Sequence, residues 1–135
     1  MKAIFPSPEW LQAVCDKLNS DEQYARIARK WEGDMVLVIE PSGPVKEKIL
    51  YYIDPWHGSC RKVEVLKELN IKPTFVLQAP YENLVKILKG ELDPMQALMT
   101  RKLGLHGNMA VMMRNIPVVL DFVRCAREAT GEILS

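Results

Sequence analysis

The spacing of apolar residues changes several times along this chain, and each change marks an element. After Ser7-Pro8-Glu9, the residues Trp10, Leu11, Val14, Cys15 and Leu18 recur at helical spacing. Ser7 is placed to cap that helix, Pro8 sits at its first position and Glu9 in its first turn. Ser20 with Gln23 three residues on reads as a capping box. Tyr24, Ile27, Ala28 and Trp31 then continue a second amphipathic helix towards Gly33. Met35 to Ile39 is continuously apolar and rich in β-branched side chains, which suits a strand covered on both faces. Pro41-Ser42-Gly43-Pro44 is a turn. Lys46 to Ile53 reads as a second strand, charged at its start and apolar at its end. Asp54 to Gly58 makes another turn, and Ser59 to Val65 alternates like a half-exposed third strand. Leu66 to Pro73 is a loop, and Thr74 to Ala79 a fourth strand.

The second half is richer in helix punctuation. Pro80 opens a helix whose stripe is Tyr81, Leu84, Val85 and Leu88, with Gly90 as its stop. Asp93 and Pro94 restart a short one as cap and first residue. Lys102 to Gly107 predicts a fifth strand, with Leu103 and Leu105 on one side. Asn108 caps a helix carrying Met109, Met112, Met113 and Ile116, and Pro117 kinks or restarts it before Val119, Phe122, Val123 and Ala126. Short connections predict an antiparallel meander of strands one to four. The helices before the fifth strand allow that strand a parallel neighbour. The fold class is α/β (α+β): one domain over residues 1–135, a five-stranded, mostly antiparallel sheet with helices over one face.

Composition narrows the function more than the fold. The chain has 18 Lys and Arg against 17 Asp and Glu, a formal net charge of +1. That balance argues against nucleic acid as a partner, which would want a strongly basic face. Cys15, Cys60 and Cys125 are odd in number and far apart, so they read as reduced, partly buried apolar residues. No leader-like start and no long apolar run is evident, and a cytoplasmic protein is expected. His57 and Cys60 lie three apart, yet a metal would need further close ligands. They read as a turn and a strand, and His106 as a solvent-facing strand residue. No acid/base pair or nucleophile set emerges, so neither catalysis nor a cofactor is expected.

Five of the seven methionines, Met95, Met99, Met109, Met112 and Met113, fall in one short segment. Methionine adapts to more than one apolar shape, so such a cluster suits a greasy ligand. Ordinary core packing at helical spacing is the plainer alternative.

At this point the chain resembles the sterol-carrier-protein-2-like lipid-transfer domains over nearly its whole length. The pieces are Trp31-x-Gly33 before the first strand, Tyr52-x-Asp54 with Gly58-x-Cys60, Phe75 in the fourth strand, and Gly90-x-Leu92-Asp93-Pro94-x-x-Ala97-x-Met99. Lys102-Leu103-x-Leu105-x-Gly107 and a C-terminal helix complete the order. Arg101 stands where members often carry glycine, and the C-terminal peroxisomal tripeptide of the family's animal lipid carrier is not found in Glu132-Ile133-Leu134-Ser135. The resemblance implies a sheet and helices enclosing an apolar cavity that binds fatty acids, fatty acyl-CoA, sterol-like or isoprenoid molecules without covalent chemistry. On it rest the expected cavity residues: Met95, Leu98, Met99, Leu103, Leu105, Met109, Met112, Met113 and Phe122. Arg101 and Lys102 are the expected head-group rim. A transient membrane-surface contact and a homodimer are the further partners it leaves open. Two other roles stay open beside lipid transfer: a structural or oligomerisation module with a filled cavity, and an accessory domain that shelters an apolar substrate for an enzyme.

Overall fold

The computed structural model describes residues 2–135. A short strand, β1 (Ala3–Phe5), leads into helices α1 (Pro8–Ser20) and α2 (Glu22–Ile27). Strands β2 (Met35–Glu40), β3 (Ile49–Trp56), β4 (Ser59–Leu66) and β5 (Phe75–Pro80) follow. Then come α3 (Tyr81–Leu88), α4 (Pro94–Met99), β6 (Gly104–His106), α5 (Met109–Arg114), α6 (Ile116–Glu128) and β7 (Thr130–Ile133).

Most helix starts follow from the residues that cap them. The Ser7 hydroxyl accepts from the Trp10 amide at 3.3 Å, and the Asn108 side chain from the Val111 amide at 3.3 Å. Asp93 accepts from the amides of Met95 and Gln96 at 2.8 and 3.0 Å. The second helix differs from the expected capping box: Asp21, not Ser20, accepts from the Tyr24 amide, at 2.9 Å. That helix also ends early, at Ile27. Trp31 is buried, and its indole N–H must find a partner. It finds the Gly33 carbonyl at 3.0 Å, which turns the chain out of the helix.

The strand order in the main sheet is β4-β3-β2-β5-β6. Strands β2, β3 and β4 form the expected meander. The fourth sequence strand, β5, departs from it by lying parallel to β2, with Met35 opposite Phe75 and Ile39 opposite Ala79. The parallel pair is thus β2–β5, and β6 is antiparallel to β5 rather than parallel to a neighbour. The physical reason lies in β2: Val36 and Val38 point to one face and Met35, Leu37 and Ile39 to the other. A strand apolar on both sides belongs in the centre, where β3 and β5 pair with its two backbone edges and both of its faces are buried. Strand β3 runs later than expected because Pro55 is accommodated at a register shift between Ile53 and Pro55. A second, two-stranded sheet pairs β1 with β7 in parallel, an association of the chain's two ends with no local signal.

The helices cover one sheet face. Phe5, Trp10, Tyr51 and Tyr81 form a continuous aromatic group there, with centroid separations of 4.7, 5.5 and 6.3 Å. The Trp10 indole N–H donates to Thr130 at 2.9 Å, which ties α1 to β7. At the sheet margin the Asn19 side-chain amide imitates a neighbouring strand. It accepts from the Cys60 amide at 2.7 Å and donates to the Cys60 carbonyl at 2.9 Å. That closes part of an edge which would otherwise present unpaired backbone groups.

Two glycines are required by close approach. Gly58 has φ +83, and a Cβ there would stand 2.5 Å from the Ala25 carbonyl oxygen. Gly107 has φ +136, and a Cβ would meet the Phe75 ring and the Thr74 carbonyl at 2.7 Å. Gly58→Ala adds the left-handed penalty to a backbone clash, so it should lower unfolding free energy by at least ~2 kcal/mol in urea titration.

Candidate functional site

Between the sheet and the C-terminal helices lies a cavity of about 120 Å³ whose wall is almost entirely apolar. Met35 and Leu37 from β2 and Leu77 from β5 form its floor. Leu84, Ile87 and Leu88 from α3, with Leu98 from α4, form one side. Met112 from α5 and Val119, Phe122 and Val123 from α6 form its roof, and Trp31 and Pro55 close one end. The roof follows from the α6 sequence, which places Val119, Phe122, Val123 and Ala126 on one stripe above the sheet.

The C-terminal half of α6 is anchored by polar contacts. The Arg124 guanidinium donates through Nε to Asp121 at 2.8 Å, through Nη2 to Asp121 at 3.2 Å and Asp21 at 2.6 Å, and through Nη1 to Asp21 at 3.2 Å and Glu128 at 3.0 Å. Every N–H of the fork therefore has an acceptor. Lys17 adds ion pairs to Asp21 and Glu128 at 3.1 and 2.9 Å, and Gln23 donates to Asp121 at 2.7 Å. The Arg124 fork and the Tyr24 amide hold the Asp21 carboxyl far below the ordinary carboxylate range. Lys17 and Arg124 lower Glu128 in the same way.

Asp21, Asp121 and Cys125 also offer ligand atoms within 4.8 Å of one another, the one such group among the described residues. Both carboxylates already grip Arg124, so this group holds a side-chain cation and does not fit a metal. Burial raises the thiols of Cys15, Cys60 and Cys125, the last to about 12, so all three stay protonated and poorly nucleophilic near neutrality. His57 and Cys60 are engaged separately. His57 pairs with Glu32 at 2.6 Å and stacks on Trp56, whereas Cys60 lies buried against α1. Trp56 also carries the Arg61 guanidinium 4.1 Å above its ring, and Arg61 reaches Asp54 at 2.9 Å. Asp54, Trp56 and Arg61 line a separate polar pocket with Asp34 and Tyr52, and none of them is on the cavity wall.

The structure divides the expected cavity residues. Leu98, Leu103, Met112 and Phe122 are on the wall. Met95 is buried beside it, and Leu105 packs half-buried against the core without reaching it. Met99, Met109 and Met113 are not on the wall: they are 71%, 40% and 38% exposed. The reason is geometric. Helix α5 meets the core along the side of Met112, its one buried residue, and Met109 and Met113, four apart, lie together on the side turned outward. Arg101 and Lys102 are exposed next to Leu103, and Arg101 adopts φ +61. The wall also uses residues the methionine pattern did not single out, notably Trp31, Met35, Leu77 and Ile87. Their signal was core-like apolar periodicity, indistinguishable in sequence from packing.

An α+β sandwich with an apolar-walled hollow between sheet and helices is the architecture these observations define. The model of the SCP-2 sterol transfer family matches residues 11–119, and the chain belongs to that family. The crystal structure of sterol carrier protein 2 is similar, with TM-score 0.82 and 31% identity over 90% of this chain and 96% of that one. The solution structure of TT1886 from Thermus thermophilus, described as possibly a sterol carrier protein, gives TM-score 0.83 and 31% identity, covering 92% of this chain and 88% of that one. Palmitated SCP2L2 from Aedes aegypti shares the fold at TM-score 0.60 and 18% identity, over 84% of this chain and 94% of that one. No curated protein matches the sequence significantly.

Arg124→Met should remove the clamp and leave two carboxylates facing each other. The cost lies between the ~1 kcal/mol of an exposed pair and the ~3–5 kcal/mol of a buried one. The pH dependence has a definite sign. Asp21 and Glu128 have folded values below their unfolded ones, so their contribution is full above about pH 5 and is lost as pH falls through about 4 and below. Urea midpoints at pH 6 and pH 3 should therefore converge in Arg124→Met relative to the unsubstituted protein.

Proposed function

We propose that this chain binds a lipid-class ligand non-covalently in the apolar cavity and carries it, without catalysing a reaction. The single observation that carries this reading is a hollow with almost no polar wall in a member of the SCP-2 sterol transfer family. Fatty acids, fatty acyl-CoA, sterol-like and isoprenoid molecules are the fitting classes, and the expected setting is the cytoplasm. Among the described residues no helix is long and apolar enough to cross a membrane.

Size decides how such a ligand enters. A dry cavity of about 150 Å³ accepts benzene. The hollow of about 120 Å³ therefore takes a ring or a few carbons in its closed form. A long chain requires the roof to lift. The weakest part of the roof is α5: six residues, bounded by Gly107 and by the break at Asn115, with Met112 as its one buried side chain. The C-terminal half of α6, by contrast, is fixed by Arg124. Opening then swings α5 and the neighbouring turn while the clamp stays closed.

Burial of methylenes drives the binding. A chain of ~16 carbons gains on the order of 10 kcal/mol at ~0.8 kcal/mol per methylene, before the costs of association and opening. Selectivity among chain lengths should be modest, because one methylene at that value changes affinity only about four-fold. Arg101 and Lys102 stand at the rim beside Leu103, where an ionised carboxylate or phosphate head would remain in water.

The small closed volume favours one alternative, a structural module whose cavity stays filled by its own side chains. Native mass spectrometry before and after organic extraction separates the two. Co-purified lipid, or uptake of a fatty acid by the stripped protein, supports carriage; an empty protein that refuses fatty acid, acyl-CoA and sterol supports the module. Val119→Trp should fill the hollow and cut fatty-acid uptake at least ~10-fold while the protein stays folded by circular dichroism. Unchanged uptake would place the ligand elsewhere.

A further inference from the structure

The charges of this chain are nearly balanced overall, yet they are unevenly placed. Between Asp93 and Asp121 there is no Asp or Glu, the longest acid-free stretch in the sequence, and Arg101, Lys102 and Arg114 lie within it. All three are exposed, and none forms an ion pair among the described residues. Other cations, such as Lys17, Arg61 and Arg124, are tied to carboxylates. The same stretch holds Met99, Met109, Met113 and Leu120, four of the nine large apolar side chains that the surface leaves exposed.

The exposed apolar residues are coupled to the cavity by chain position. Leu98 is on the wall and Met99 is outside; Met112 is on the wall and Met113 outside; Val119 is on the wall and Leu120 outside. Each of the three helices α4, α5 and α6 thus offers one apolar face inward and an apolar residue outward. An exposed set of this kind, rimmed by unpaired cations, is what an interfacial membrane contact requires. Arg101 adds a further sign. At φ +61 a glycine would sit without penalty, yet the position carries a long cation.

We propose that α4, α5, the first turns of α6 and the 100–108 connection form the face by which this protein docks on an anionic bilayer. The cavity then opens against the membrane, and the inference rests on the lipid-carrying reading above. A second copy of this chain is a poorer occupant. A two-fold interface would bring Arg101, Lys102 and Arg114 against their own like charges, with no carboxylate in the stretch to meet them. An anionic surface meets both halves of the pattern: cations at the head groups, methionines and Leu120 at the acyl boundary.

The test is sedimentation with vesicles of phosphatidylcholine, with and without phosphatidylserine, using the full chain. The unsubstituted protein should pellet with phosphatidylserine vesicles and be released as salt rises. Each basic residue near such a surface contributes about a five-fold gain in binding. Arg101→Glu/Lys102→Glu/Arg114→Glu should therefore weaken binding by about a hundred-fold or more. Met109→Asp/Met113→Asp should weaken it too, and both positions are exposed, so the fold is spared. Lys46→Glu/Lys48→Glu/Lys72→Glu, at exposed sites elsewhere, should bind nearly as the unsubstituted protein does. Equal binding to neutral vesicles, or rim variants that bind like the parent, overturns the proposal. So does a dimer in size-exclusion chromatography that the rim variants dissociate while no vesicle binding occurs. Uptake of a fatty acid delivered from soluble cyclodextrin, measured on the same proteins, separates the two readings. Uptake without docking removes the membrane face alone; docking without uptake removes the cavity reading alone.

Discussion

Arg124 is where the architecture is decided. Its guanidinium commits all of its N–H groups to Asp21, Asp121 and Glu128, from the α1–α2 junction and from α6 itself. A helix that roofs an apolar layer is ordinarily held by collapse onto that layer, and complete collapse leaves no hollow. Here the C-terminal half of α6 is positioned at its flank by charge-assisted hydrogen bonds, and Arg127 repeats the device by donating to the Leu88 and Ile87 carbonyls at 2.9 and 3.0 Å. The underside of α6 can then stay incompletely packed without loss of its position. The bonds are directional, so they set where the helix lies, and apolar contact only has to keep water out.

The same arrangement explains why stiffness is uneven. The clamp acts on α6 beyond Asp121, whereas α4 and α5 are six-residue helices outside it, and α5 buries Met112 alone. Their caps, Asp93 and Asn108, fix where they begin but do not hold them to the sheet. Local opening is drawn from segments with few buried contacts, and α5 is such a segment on the cavity wall.

How far the fold could be read from the residues depended on whether each signal was local. Ser7, Asp93 and Asn108 act on amides two or three residues away, so their helices were legible. So were the strands whose β-branched runs have clear ends. The parallel β2–β5 pair was not legible, because nothing near Phe75 states which edge it will join; the two-sided burial of β2 decides that only once the sheet exists. The β1–β7 pair joins the two ends of the chain through three- and four-residue strands, too short to show a period. Asp21 hid behind Ser20 as a cap because both residue types suit the role, and Arg124's tertiary partner decided between them. The cavity wall followed the same rule. Met112 and Phe122 lay on recognisable stripes, whereas the outward turn of Met109 and Met113 depended on which side of α5 met the core, and that of Met99 on its place at the end of α4.

A hollow has a definite cost, and the magnitudes here are comparable to what surrounds it. At ~24 cal/mol per Å³, an unfilled cavity of about 120 Å³ forgoes roughly 3 kcal/mol. That is a large fraction of the ~5–15 kcal/mol that usually separates folded from unfolded chains. The Arg124 network is of the same order, so it offsets the cavity rather than adding surplus stability. Collapse would recover the lost contacts, but it would need α6 to shift against a fork that tolerates little change in distance or angle. A ligand of matching shape recovers those contacts without moving the clamp. Filling the hollow and keeping the roof in place therefore favour the same state, and a cavity held open by a polar frame is already organised for an apolar guest.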